Sequence, residues 1–452
     1  MRIKNICCIG AGYVGGPTMS VIAFKCPEIK ITVVDSSPEK IKAWNGPIDK
    51  LPVYEPGLSE VVRKVRGRNL FFSNNIKDSI QQAQMIFVAV NTPTRTSGKG
   101  AGMAADLKNV ESCALDIAKY SNNNKIIVEK STLPVRTAEK IKEILIKENS
   151  HVHFEILSNP EFLAEGTAIQ DLFKSDRILI GGDPTPKGQK AIKALVEIYT
   201  RWVPKGKILT TNIWSSELSK LASNAMLAQR ISSINSLSSL CQKTGAKINE
   251  LSKAIGLDHR IGPHFLEPSV GFGGSCFKKD ILNLVYLCQY YGLHEVAEYW
   301  NQVVLINDHK IKDFASRIVN KFSNDLSKIE IIILGWAFKA NTNDSRESPS
   351  IYVAEELYLA NASLSIYDPL VEKDKVINDI KTYWKKNKNF KKIVSDISVL
   401  GNKKFDIQSY DVCVILTEWD EFKEIDFKGK VVFDGRNLLL KVPNKNYEYY
   451  SL

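Results

Sequence analysis

Ten residues near the middle of the chain, Gly271-Phe272-Gly273-Gly274-Ser275-Cys276-Phe277-Lys278-Lys279-Asp280, place a cysteine on a glycine-rich turn where a helix is expected to begin. Such a turn suits a reactive thiol. Glycines let the backbone approach a bound ligand, Ser275 can cap the helix, and amides at a helix N-terminus favour the thiolate. Asp280, four residues on, shares the helical face of Cys276 and can handle protons or water beside it. A lone cysteine is more often a buried structural residue. The role of Cys276 therefore depends on what the rest of the chain supplies.

A second pattern opens the chain. The apolar run Ile3-Lys4-Asn5-Ile6-Cys7-Cys8-Ile9 passes directly into Gly10-Ala11-Gly12-Tyr13-Val14-Gly15, followed by a helix-compatible stretch and the strand Ile31-Thr32-Val33-Val34, which ends on Asp35. Strand, G-x-G-x-x-G, helix, strand and acid in that order form a dinucleotide fingerprint: the helix N-terminus faces a pyrophosphate and the acid accepts from the adenosine ribose hydroxyls. Asp35 would repel a 2′-phosphate, which favours NAD over NADP. Lys40, five residues on, pulls the other way.

These residues need a scaffold, and 452 residues are enough for two or three domains, each with its own core. The expected architecture is α/β: two Rossmann-like, doubly wound parallel-sheet domains joined by a central long-helix region. The boundaries are 1–212, 213–324 and 325–452. In the first domain, Met85-Ile86-Phe87-Val88-Ala89-Val90 and Lys125-Ile126-Ile127-Val128-Glu129 read as strands leading into the loops Asn91-Thr92-Pro93-Thr94 and Lys130-Ser131-Thr132-Leu133-Pro134. Ligands sit at the carboxyl ends of parallel strands, so both loops should border the cofactor. Ile156-Leu157-Ser158 leads to Asn159-Pro160-Glu161-Phe162-Leu163-Ala164-Glu165, whose two acids are spaced to share a helical face.

Leu218, Leu221, Ala225, Ala228, Ile231, Ile234 and Leu237 recur every three or four residues and predict a long buried or subunit-bridging helix. Lys220 and Asn224 lie four apart beside that stripe. A further α/β pattern begins at Ile329-Glu330-Ile331-Ile332-Ile333-Leu334-Gly335, with Ser348-Pro349 opening a helix and strands at Leu364-Asp368, Val412-Leu416 and Val431-Asp434. It lacks the full glycine fingerprint, as a related fold holding a different nucleotide would.

The bulk properties exclude several classes. No run of about 18 apolar residues appears and the N-terminus becomes a strand at once, so a cytoplasmic protein without a membrane segment is expected. Eight cysteines show neither C-x-x-C pairing nor a disulfide framework, and seven are read as structural thiols. Six histidines form no metal set, His151 and His153 included, so no metal is expected. The charge of +11, from 61 basic and 50 acidic residues, is diffuse. Its densest run, Lys381 to Lys392, reads as a solvated insertion rather than a nucleic-acid face.

Gly10 to Gly15, Asn159-Pro160-Glu161-Phe162-Leu163-Ala164-Glu165-Gly166 and the Gly271 to Cys276 turn, in that order, resemble the UDP-glucose/GDP-mannose dehydrogenase family, and most of all its UDP-glucose 6-dehydrogenases. The resemblance runs almost end to end, through Ser216-Glu217-Leu218-Ser219-Lys220-Leu221, Tyr367-Asp368-Pro369 and Phe433-Asp434-Gly435-Arg436. Glu129-Lys130-Ser131-Thr132 and Arg230-Ile231-Ser232-Ser233-Ile234-Asn235 point to the animal-type branch.

The resemblance implies a four-electron oxidation of UDP-glucose at C6 to UDP-glucuronate, with NAD as cofactor and a thiohemiacetal and thioester on Cys276. By the same likeness Lys220 and Asn224 stabilise the oxyanion, Asp280 assists proton transfer, and Glu161 with a Thr132-held water serves hydrolysis. The implied cofactor contacts are Gly10, Ala11, Gly12, Tyr13, Val14, Gly15, Asp35, Lys40, Val90, Asn91, Thr92, Pro93, Thr94, Ser131, Thr132, Leu133, Glu165, Cys276, Phe277, Lys278, Lys279 and Arg346. Lys40 stands where the branch often carries arginine. The implied sugar-nucleotide contacts are Glu161, Phe162, Leu163, Ala164, Glu165, Lys220, Leu221, Asn224, Arg260, Glu267, Pro268, Ser269, Val270, Gly271, Phe272, Gly273, Phe338, Lys339 and Arg436. Arg260 would reach across from a neighbouring subunit in a homodimer or homohexamer. The chain ends at Leu452 without the long tail of some members, which puts tail-dependent regulation in doubt.

Rival readings are the same chemistry on UDP-N-acetylmannosamine or GDP-mannose, a non-catalytic sugar-nucleotide binder, and a charge-driven nucleic-acid binder. Intact Cys276, Lys220, Asn224, Asp280 and Glu161 argue against the second, and the lack of an aromatic-and-basic stripe against the third.

Overall fold

The computed structural model describes residues 2–384, 389–401, 403, 405–442 and 446–452. The chain folds as two compact units, Met1–Ser223 and Asn224–Leu452.

Unit 1 holds a sheet built from β1 (Asn5–Ile9), β2 (Lys30–Val34), β3 (Leu70–Ser73), β4 (Met85–Val88), β5 (Lys125–Glu129), β6 (Phe154–Ser158), β7 (Ile178–Gly182) and β8 (Ile208–Thr211). The spatial order is β3-β2-β1-β4-β5-β6-β7-β8. Strands such as Met85-Ile86-Phe87-Val88 are buried throughout because helices cover both faces. The first six strands are parallel and follow the doubly wound order, whose topological switch lies between β1 and β4.

The expectation of a parallel sheet fails at its far edge. β7 pairs antiparallel with β6 through Leu157↔Gly182 and Ser158↔Gly181, and β8 follows β7. The glycines explain how this edge packs. A Cβ on Gly181 would come within 2.4 Å of the Ser216 Cβ, and one on Gly182 within 2.8 Å of Leu157 and Ile192.

The helices that matter most are α1 (Gly15–Lys25), α2 (Thr137–Glu148), α3 (Ile213–Thr244), α4 (Phe277–Tyr290) and α5 (His294–Lys321). The long helix α3 runs through the division between the units; of its expected stripe, Leu221, Ala225, Ala228 and Ile234 are buried and Ile231 is half-buried, whereas Leu218 and Leu237 are exposed.

Unit 2 holds β9 (Glu330–Leu334), β10 (Ser363–Tyr367), β11 (Ile397–Gly401), β12 (Val412–Ile415), β13 (Val431–Asp434) and β14 (Glu448–Tyr450), all parallel, in the order β11-β10-β9-β12-β13-β14. Renumbered from β9, this is the same doubly wound order as unit 1. Ser348 caps the following helix, Pro349–Leu359, by accepting from the Ser350 amide, as its Ser-Pro start predicts.

The acid after the second strand is used differently in the two sheets. Asp368 is 1% exposed and accepts from the Trp336, Ala337, Leu370 and Val371 amides and from the Trp419 indole. It braces the fold instead of offering itself to a ribose.

Of the Lys/Asn-rich run, residues 385–388 lie outside the described residues. At its start the expected solvated insertion gives way to structure: Trp384 is 4% exposed and its indole donates to the Ile351 carbonyl.

Candidate active site

At the switch point of unit 1 the glycines play three separate parts. Gly10 has φ +112°, and a Cβ there would meet the Ala89 carbonyl at 2.3 Å. A Cβ on Gly15 would lie 1.9 Å from the Gly10 carbonyl oxygen, so α1 can start against β1 only with glycine there. Around Gly12 nothing lies within 4 Å of an added Cβ. That open backbone at the mouth of α1 is a cradle that fits the pyrophosphate of NAD.

Asp35 closes the far side of the cradle. Its carboxylate accepts from the Ala11 amide at 2.9 Å, the Ser37 amide at 3.0 Å and Lys40 Nζ at 2.9 Å. Burial alone would push its pKa up, but the backbone donors and Lys40 outweigh burial and hold it below the usual carboxylate range. It therefore stays an anion able to accept from ribose hydroxyls. Lys40 is engaged by this carboxylate, so its charge counts less toward a 2′-phosphate than its position suggests. Asp35→Ala should cut the preference for NAD over NADP, read as the ratio of kcat/KM values, by about 10-fold or more. An unchanged ratio would remove Asp35 from the cofactor site.

The two loops expected beside the cofactor are latched together. Thr92 Oγ1 donates to the Thr132 carbonyl at 3.0 Å and Ser131 Oγ donates to the Val90 carbonyl at 2.6 Å. Leu133 is buried.

Glu161 and Glu165 do not share a helical face. Residues 159–164 form no helix, Gly166 takes φ +85°, and the next helix starts at Ala168. The extended path is enforced from outside the segment. Asn159 Nδ2 donates to the Leu179 carbonyl at 2.7 Å, while the buried Glu55 carboxylate accepts from the Gly166 and Ala168 amides. Glu161 is mostly buried and lies 3.8 Å from Lys220 Nζ, and its Oε2 is buried without a hydrogen-bond partner. Lys220 is 5% exposed and sits 5.5 Å over the Phe162 ring, which Arg177 covers at 3.8 Å. Lys220 is thus no solvated surface cation, and an orphaned carboxylate oxygen beside it suits a water or hydroxyl donor.

In unit 2, α4 starts at Phe277 with Cys276 itself at the cap position and no side-chain cap bond. The expected Ser275 cap is not formed: the Ser275 hydroxyl lies 3.5 Å from Cys276 Sγ. Among the described residues seven cysteines are buried, whereas Cys276 is exposed. Burial pushes the thiols of Cys7, Cys113 and Cys413 up to about 12, which keeps them protonated and inert.

One turn into α4, Asp280 is 2% exposed and accepts from Asn224 Nδ2 at 2.6 Å. Lys279 lies 3.4 Å from Asp280, while Lys278 is shared between Glu347 and Asp308.

The turn before Cys276 is held on several sides. The Ser269 amide donates to Asn235 on α3, the Val270 amide to the Gly435 carbonyl, and the Gly274 amide to the Arg346 carbonyl. Gly274 has φ +87°, and a Cβ there would press on the Phe338 ring at 3.0 Å. Arg436 donates to the Leu416 and Phe338 carbonyls, and Arg346 forks onto Asp344. Unit 2 thus gathers the Val270 to Cys276 turn, Phe338, Arg346 and Arg436. Arg260 stands apart, exposed and paired with Asp258.

The sequence reading missed Asn307 on α5. Its side-chain amide accepts from the Phe272 amide at 2.8 Å and donates to the Phe272 carbonyl at 3.1 Å, gripping the cysteine turn like a strand partner. No local pattern links positions 35 residues apart. It also left Glu217 without a role. This carboxylate caps α2 by accepting from the Arg136 and Ala138 amides, and burial raises it to about 7.

Among the described residues no group of three or more His, Cys, Asp or Glu is placed to hold a metal ion, and no helix is long and apolar enough to cross a membrane.

Two doubly wound sheets, a dinucleotide cradle and an exposed cysteine at a helix start together define a nucleotide-dependent dehydrogenase. The chain belongs to the UDP-glucose/GDP-mannose dehydrogenase family: models of the NAD binding, central and UDP binding domains match residues 4–203, 214–309 and 332–441. The chain is 54% identical to a UDP-glucose 6-dehydrogenase of Mus musculus over 97% of its length and 90% of that protein's. It is 53% identical to UDP-glucose 6-dehydrogenase 5 of Oryza sativa subsp. japonica over 96% of this chain and 93% of that one, so animal and plant relatives match almost equally. A solved UDP-glucose dehydrogenase from Pyrobaculum islandicum is 28% identical, with a TM-score of 0.84 covering 99% of this chain and 97% of that one.

Proposed function

We propose that this chain is an NAD-dependent dehydrogenase that oxidises C6 of UDP-glucose twice, through a covalent adduct on Cys276, and releases UDP-glucuronate. The observation that carries the covalent reading is the exposed Cys276 at the start of α4, one turn from the buried Asn224–Asp280 pair. The substrate follows from relatives more than 50% identical along almost the whole chain.

NAD, held by the Gly10 to Gly15 cradle and Asp35, supplies the hydride acceptor for each oxidation, a fresh NAD replacing NADH between the two. The first takes a hydride from C6 and passes the hydroxyl proton to the enzyme. The Cys276 thiolate then adds to the aldehyde carbon, because an aldehyde is a poor hydride donor until a nucleophile has added. Lys220 and the Asn224 amide stabilise the developing oxyanion, and Asp280 keeps that amide oriented. Loss of the second hydride leaves a thioester. Water directed by Glu161 and the Thr132 loop attacks its carbonyl, the C–S bond breaks, and the thiol and a carboxylate are released. Phe338, Lys339 and Arg436 take the sugar nucleotide, with residues 1–212, 213–324 and 325–452 as the working domains.

The chain works as a homodimer or larger assembly. Met226, Leu237 and Leu240 on α3 are 53%, 38% and 59% exposed, apolar side chains that a second copy would cover. Arg260 would then serve a neighbour. Light scattering at assay concentration should find a dimer or hexamer, and a fully active monomer would contradict this.

For the substrate, NADH formation is compared on UDP-glucose, UDP-N-acetylmannosamine and GDP-mannose. UDP-glucose should give the highest kcat/KM by about 10²-fold or more. A higher value on either rival would overturn the choice of sugar.

A further inference from the structure

Behind Glu161 and Lys220, unit 1 buries a second lysine that the chemistry above leaves unused. Lys130, the residue after β5, is 3% exposed. Its Nζ donates to Asn159 Oδ1 at 3.2 Å and lies 6.0 Å from the centre of the Tyr199 ring. Asn159 is fully buried and its side-chain amide holds three partners: its oxygen also accepts from the Tyr199 hydroxyl at 2.6 Å, and its nitrogen donates to the Leu179 carbonyl. Two residues further on stands Glu161. A lysine in such a position costs stability, because its charge is desolvated.

We propose that Lys130 is a positioning residue for Glu161. Through Asn159 it fixes the Asn159-Pro160-Glu161 segment, and its positive charge facing Glu161 helps aim that side chain for hydrolysis of the acyl-enzyme. The proposal rests on the hydrolytic role given to Glu161 above.

The groups facing Lys130 come from four directions: Glu161 after β6, Lys220 on α3, Cys8 on β1, and the Tyr199 ring with its hydroxyl. Burial pulls the Lys130 ammonium down to about 8, Glu161 and Cys8 oppose that fall, and Lys220 adds to it. The folded protein thus holds this proton more weakly than the unfolded chain, where a lysine sits near 10.5. The cost of burying the cation is felt in full below about pH 8 and is relieved between about pH 8 and 10.5. A purely structural lysine would be improved by an apolar isostere.

The test uses full-length Lys130→Met and Lys130→Gln, the second keeping a donor without the charge. Both variants and the wild type are mixed with NAD and UDP-glucose, following NADH on the burst timescale and the Cys276 adduct by intact mass. Lys130→Met should melt no lower than wild type at pH 7. In both variants a burst of about two NADH per site should survive while steady turnover falls about 30-fold or more and acyl-enzyme accumulates. The KM for UDP-glucose should stay within about twofold, and any wild-type rate change near pH 8 assigned to Lys130 should vanish. Steady turnover within about twofold of wild type, or equal loss in burst and steady phases, would overturn the proposal. If Lys130→Met does not fold, Lys130→Gln decides by the same criteria. A wild type that yields one NADH per substrate and no adduct would instead sink the covalent reading on which the proposal stands.

Discussion

Cys276→Ser should lower UDP-glucuronate formation by about 10³-fold or more while the fold and NAD binding survive. Cys276 is exposed and makes no side-chain cap bond to α4, so a serine of nearly the same shape removes no structural contact of that kind. The change is chemical. A thiol titrates within reach of neutral pH and is helped by the helix amides around it, whereas a serine hydroxyl would need a dedicated base to add to the aldehyde. A serine adduct would also leave an oxygen ester, which hydrolyses less readily than a thioester. Product is measured by chromatography and folding by thermal melting. Ordinary turnover in a well-folded variant would strip Cys276 of its covalent role.

Lys220→Met should lower kcat/KM by about 10²- to 10³-fold, the range for loss of a preorganised donor to a developing oxyanion. The ammonium is 5% exposed, lies 3.8 Å from Glu161 and sits over Phe162, so it is oriented before any substrate arrives. A methionine fills the same slot against Phe162 but takes from the mostly buried Glu161 the cation 3.8 Å away. The loss should fall mainly on kcat, with NAD affinity unchanged, because the Gly10 to Gly15 cradle and Asp35 do not involve Lys220. A kcat/KM within about threefold of wild type would mean that Lys220 is only a packing partner.

Some of this was legible in the chain because the physics is local. Gly10, Gly12 and Gly15 follow directly on β1 at the start of α1, and Asp35 follows the end of β2, so the cradle could be read directly. The stripe from Leu218 to Leu237 has the helical period of α3, although the structure buries only its members Leu221, Ala225, Ala228 and Ile234. Other features depend on partners far away in sequence. Four-residue spacing made Glu161 and Glu165 look helical, yet Asn159 and Glu55 pull that segment into an extended path, and Glu55 acts from 111 residues away. β7 runs antiparallel to β6, and its edge packs through Gly181 and Gly182, whose neighbours include Ser216 on α3 and Ile192 on the helix Pro186–Tyr199. Asn307 bonds to the cysteine turn from 35 residues away in the chain, and Lys130 reads as one more polar residue in a loop until burial reveals its cost.

The covalent two-step oxidation is tested most directly by stoichiometry. From one limiting batch of UDP-glucose, NADH absorbance is set against chromatographic UDP-glucuronate, with a carbonyl trapping reagent in a parallel sample. If Cys276 captures the aldehyde before it leaves, both hydrides belong to one substrate visit. The predicted ratio is about two NADH per UDP-glucuronate, with little aldehyde trapped during turnover. A ratio near one with the C6 aldehyde accumulating would show an ordinary alcohol dehydrogenase and contradict the account.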